Sequence, residues 1–63
     1  MIISNVKIAE RILSRGYNYG LALACVDEVR TPDDEKLEIS EQDVEDLVNN
    51  ICAGFDFESD WRN

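Results

Sequence analysis

The stretch Gly16-Tyr17-Asn18-Tyr19-Gly20-Leu21-Ala22-Leu23-Ala24-Cys25-Val26-Asp27-Glu28-Val29 decides the fold. Gly16 can adopt the positive φ that ends a preceding helix. Asn18 is a good N-cap, because its side-chain oxygen can accept from an orphan amide two or three residues on. At about 100° per residue, Tyr19, Ala22, Leu23, Val26 and Val29 share one helical face. Leu21, Ala24 and Cys25 lie on the other side, so apolar character extends past one stripe. A helix apolar most of the way round is expected to be buried between neighbours. Residues 19–30 are therefore read as the central helix.

Working outward, an N-terminal helix is expected over residues 5–15, capped by Ser4. Ile3 and Ile8 stand at the two positions of a hydrophobic staple. Ile2, Val6, Ala9 and Leu13, flanked by Ile8 and Ile12, are expected to form its core stripe. Arg11 and Arg15 suit the negative pole of its dipole. Thr31-Pro32 breaks the second helix, since proline lacks a donor and disfavours helix at the residue before it. Asp33-Asp34-Glu35-Lys36-Leu37-Glu38 is then a solvated connection with room for a short helical turn. It lacks the alternating ligands, central glycine and closing glutamate of a calcium loop.

A third helix is expected over residues 41–53. Ser40 and Asp43 resemble a capping box, and Ile39 and Val44 a second staple. Val44, Leu47, Val48, Ile51 and Cys52 follow the spacing of one buried face. Gly54 is the expected stop. The fold class is all-α: a small three-helix bundle in one domain, residues 1–54, with an acidic aromatic tail, residues 55–63. Phe55 and Phe57 either fold back onto the core or, with Trp61, form a recognition segment. Phe57 and Trp61, four apart, would share one side of a helix induced in a partner's groove.

Composition narrows the function. The 63 residues carry a net charge of −8. So small a core is expected to supply only about 3–5 kcal/mol, and the chain leaves little room for an enclosed catalytic cavity. The charge argues against direct binding to nucleic acid or anionic membrane, which a basic surface would drive. It is also uneven. Residues 1–26 hold Lys7, Arg11 and Arg15 against Glu10, whereas residues 27–63 hold thirteen acids against Arg30, Lys36 and Arg62. There is no histidine, and Cys25 and Cys52 alone do not make a zinc site. Gly16-x-x-x-Gly20 lacks the Lys-Ser/Thr of a phosphate loop. No cofactor, metal or catalytic residue is expected, and neither is an enzyme. Both cysteines read as small buried hydrophobes. With no apolar leader segment in the opening residues, the cytoplasm is the expected location.

Two resemblances add to this. Gly16-Tyr17-Asn18-Tyr19, Leu21-Ala22, Ala24 and Glu28-Val29 are similar to a Gly-aromatic-Asn-aromatic-x-Leu-Ala-x-Ala pattern in very small early proteins of short-tailed coliphages. Those proteins inhibit the host's tubulin-like division protein, so the resemblance implies a phage-encoded protein that inhibits or redirects a host protein. The three-helix layout with Gly16-Tyr17 also resembles ubiquitin-associated domains, where a Gly-aromatic pair ends helix one within the binding surface. The candidate partner-binding residues are Tyr17, Tyr19, Asp34, Glu38, Glu41, Glu45, Asp46, Phe57 and Trp61. Nucleic-acid mimicry is an alternative, with Asp33, Asp34, Glu35, Glu38, Glu41, Glu45 and Asp46 standing in for phosphates. A homodimer through Leu21 and Cys25 is another.

Overall fold

Each helix begins where its cap places it. In the computed structural model, which describes residues 1–62 and side chains through Phe57, Ser4 Oγ accepts from Lys7 N at 3.2 Å and α1 spans Asn5–Leu13. Asn18 Oδ1 accepts from Leu21 N at 2.9 Å and opens α2, Tyr19–Val29. Ser40 Oγ accepts from Asp43 N at 3.0 Å and opens α3, Glu41–Arg62. The architecture is the expected three-helix bundle, with no strand among the described residues.

The helix ends differ more. α1 stops at Leu13, two residues short of the expected Arg15. The amides of Arg15 and Gly16 reach back only three residues, to Ile12 O and Leu13 O, tightening the chain into a turn. Gly16 completes it at φ 98°, a value that favours glycine. α2 ends at Val29, and the Thr31-Pro32 break feeds a 3-10 turn at Asp34–Lys36. Thr31 and Asp34 close that turn reciprocally: Asp34 Oδ2 accepts from Thr31 N at 2.9 Å, and Thr31 Oγ1 accepts from Asp34 N at 3.3 Å.

Gly54 does not end α3. The only positive-φ glycine is Gly16, so Gly54 continues a right-handed helix that runs to Arg62. Phe55 explains the continuation, because it extends the inward series of Val44, Val48, Ile51 and Cys52 by one more turn. An added Cβ at Gly54 would meet nothing within 4 Å. Gly54→Ala is therefore expected to raise stability by roughly 0.5–1 kcal/mol in urea unfolding, the helix-propensity difference. A helix that stopped there on a positive-φ glycine would give the opposite sign.

The core consists of Ile3, Ile8, Ala9, Ile12, Ala22, Val26, Val44, Val48 and Cys52. Its seam on α1 is Asn5, Ile8, Ala9 and Ile12, rotated from the expected stripe: Ile2, Val6 and Leu13 are about half exposed. The polar Asn5 occupies a seam position that an apolar count passes over. α2 is likewise less enclosed than expected. Ala22 and Val26 are fully buried, but Leu21 and Val29 are each 59% exposed. A three-helix bundle offers each helix only two neighbours, so the second apolar face of α2 is covered only in part. Leu21 and Ala24 are exposed, and Cys25 is half-buried where burial was expected, unlike Cys52.

Candidate functional site

At the end of the bundle where α2 meets the connection, the buried polar pair Asn5 and Arg30 fastens three segments together. Arg30 Nη1 donates to Ile3 O at 3.1 Å and to Asn5 Oδ1 at 3.0 Å, and Nη2 donates to Asp34 O at 3.1 Å. Asn5 Nδ2 donates to Arg30 O at 2.8 Å and to Asp27 Oδ1 at 3.0 Å. The backbone amide of Asn5, an orphan of the first turn of α1, donates to Glu35 Oε1 at 2.6 Å. The guanidinium thus meets oxygen dipoles inside the fold, with Asp27, Asp34 and Glu35 on the surrounding elements. This arrangement sets the path of residues 31–37 over the bundle end.

Residues 38 and 39 return alongside the N-terminus. Met1 O accepts from Ile39 N at 2.9 Å, and the Met1 amine donates to Glu38 Oε2 at 2.7 Å and to Ile39 O at 2.8 Å. Between this strip, the end of α2 and α3 lies an open groove of about 310 Å³, lined by Val29, Arg30, Asp34, Leu37, Glu38, Ile39 and Leu47. Val29 and Leu37 are 59% and 61% exposed, so its apolar lining is accessible to water.

The first two turns of α3 take a different role from its outer surface. Arg11 reaches both Glu41 and Glu45, and Arg15 donates to Glu45 Oε2 at 3.1 Å and to Asn49 Oδ1 at 2.6 Å. The hydrogen bond from Arg11 is the main cause that holds the Glu41 carboxyl below its ordinary 4.5. A lowered carboxyl adds stability above its ordinary value and loses it as pH falls through the lowered one. These partly solvated pairs set the register of α1 on α3 more than they add stability.

Tyr17, in the link between α1 and α2, holds the extension of α3. Its ring lies 5.5 Å from that of Phe55, tilted by 31°. Its hydroxyl donates to Asp56 Oδ1 at 2.5 Å. That hydrogen bond, followed by desolvation and the Asp56 charge, pushes the Tyr17 phenol from 10.0 up to about 12. A raised phenol binds its proton more tightly in the folded state, so the contribution is whole below pH 10 and is lost as pH rises toward 12. Alkaline absorbance titration is expected to contain a tyrosine ionising near 12 that moves back toward 10 in Asp56→Asn. An unchanged titration in that variant would exclude Asp56 as the cause.

The sequence candidates therefore divide. Tyr17, Glu41 and Glu45 have partners within the fold, and Tyr19 packs half-buried against the core. Asp34 and Glu38 come together at the groove. Asp46 is exposed and accepts from Gln42 Nε2 at 3.0 Å, and Phe57 is 72% exposed. The Trp61 side chain lies outside the described residues. Apolar counting passed over Asn5 and Arg30, whose signal was only the Thr-x-x-Asp closing turn beside Arg30. Val29, Leu37 and Leu47 carried no signal of a shared groove.

Among the described residues, no helix is long and apolar enough to cross a membrane, and no cluster of His, Cys, Asp or Glu is placed to hold a metal ion. Comparison with models of protein families, with curated proteins and with solved structures finds no match.

Proposed function

We propose that the chain is a small acidic protein-binding protein that docks on a basic protein of its host and inhibits or redirects it. The observation that carries this reading is where the cations go. Arg11 and Arg15 are turned onto Glu41 and Glu45, Lys7 pairs with Glu10, the Met1 amine pairs with Glu38, and Arg30 is buried among oxygens. That leaves Lys36 as the exposed cation with no ion pair among the described residues. Glu28, Asp33 and Asp43 meanwhile stand exposed with no ion pair among the described residues. The outward field is acidic, and such a field steers a basic partner and repels acidic ones.

The likeness of residues 16–29 to phage host-takeover proteins agrees with that role. Local structure accounts for much of the motif: Gly16 makes the turn, Asn18 caps α2, and Ala22 is buried. The motif thus supports the fold more directly than the choice of target.

A tagged pull-down from bacterial lysate, washed at low and then high salt and read by mass spectrometry, tests the reading. One basic protein retained at low salt and weakened at high salt is expected, and its activity should fall when the purified chain is added. Recovery of an acidic protein, or of the chain alone, would contradict it. A nucleic-acid-handling partner released by competing DNA would replace it with charge mimicry.

A further inference from the structure

We infer that the groove between the end of α2, residues 34–39 and α3 is the docking site for a partner segment bearing large apolar side chains flanked by lysine or arginine. This inference rests on the function proposed above and adds the surface and the chemistry of the segment. The lining combines three apolar residues from separate elements, Val29, Leu37 and Leu47, with Ile39 at the base of the strip. Two of them, Val29 and Leu37, are more than half exposed, although burying such side chains is favourable wherever a surface is available. A volume of about 310 Å³ in an open cleft suits a few side chains of a peptide.

Charge decides the occupant. Asp34 and Glu38 line the groove. The Met1 amine at 2.7 Å offsets Glu38, and Lys36 beside Leu37 is exposed, so the negative charge of the rim rests on Asp34 and on α3. Asp43 lies one helical turn before Leu47, on the same side of α3, and is exposed. The cation in the lining, Arg30, is 7% exposed and spends its guanidinium on Ile3 O, Asn5 Oδ1 and Asp34 O. A second copy of the chain would bring another charge of −8 against this rim. Nucleic acid is disfavoured by the same sign. A cationic segment with apolar anchors satisfies both parts of the lining.

The probe is a lysine-rich amphipathic peptide with leucines at i, i+3, i+4 and i+7. Its control has serine in place of every leucine. Titrated into isotopically labelled protein, the leucine peptide is expected to shift the methyl resonances of Val29, Leu37, Ile39 and Leu47 to saturation, and the serine peptide is not. Leu37→Ser is expected to weaken binding about tenfold, the scale of one lost apolar side chain. Val29→Thr should weaken it in the same direction, which guards against a fault peculiar to one variant. Leu37 and Val29 are both exposed, so each variant should keep the parent spectrum elsewhere.

Equal binding of both peptides, or shifts centred on Phe57 and Asp46, would overturn the groove while leaving a basic partner in place. Absence of binding by either peptide would overturn it too, as would intermolecular contacts between copies through the groove. The underlying function fails separately, when the protein recovered from lysate is not basic.

Discussion

Arg30→Met is expected to cost about 3 kcal/mol, most of what a core of this size supplies. Methionine keeps the aliphatic stem but removes three donated hydrogen bonds, two of them buried. Replacing a buried ion pair by apolar residues is often neutral, since both desolvated charges leave together. Here the acceptors remain. Ile3 O and Asn5 Oδ1 would lose the guanidinium donor, whereas Asp34 O keeps its bond from Leu37 N at 3.1 Å, and each unsatisfied buried group costs roughly 1–3 kcal/mol. The loss also frees the 31–37 path, so groove binding should fall with stability. Urea unfolding followed by circular dichroism checks this. A change below about 1 kcal/mol would mean that water replaces the guanidinium at little cost.

Ile8→Ala is expected to cost about 2–5 kcal/mol, through lost transfer energy and the cavity left behind. Ile8 is fully buried and joins the staple residue Ile3 to the seam with α2 and α3. Against a total of about 3–5 kcal/mol, the variant should be largely unfolded at 25 °C, with lost helical signal and a collapsed thermal transition. Val6→Ala, by contrast, removes a side chain that is 43% exposed and should change stability by less than about 1 kcal/mol. Similar losses at the two positions would mean that α1 faces the core by the stripe first expected from its sequence.

That contrast marks how far the sequence can be read. Caps were legible because they are local chemistry: Ser4, Asn18 and Ser40 each bond an amide three residues on. Gly16 was legible for the same reason. The orientation of α1 was not, because Asn5 holds a seam position through a hydrogen bond to a residue 25 positions away. Gly54 misled for a related reason. Whether a glycine ends a helix depends on what lies beyond it, and here Phe55 finds Tyr17, far away in sequence. The sequence offers Glu41 and Glu45 as candidate partner contacts, yet they meet Arg11 and Arg15 across a helix pairing whose register no single-helix pattern encodes. The groove was invisible for the same cause, since Val29, Leu37 and Leu47 are brought together only by the packed connection.

The most direct measurement is a pair of binding isotherms for the basic protein recovered by pull-down, taken with the parent chain and with Leu37→Ser at low and high salt. Docking through an acidic, apolar groove predicts affinity that falls with salt and falls again, about tenfold, on loss of Leu37. Affinity indifferent to both salt and Leu37 would contradict it.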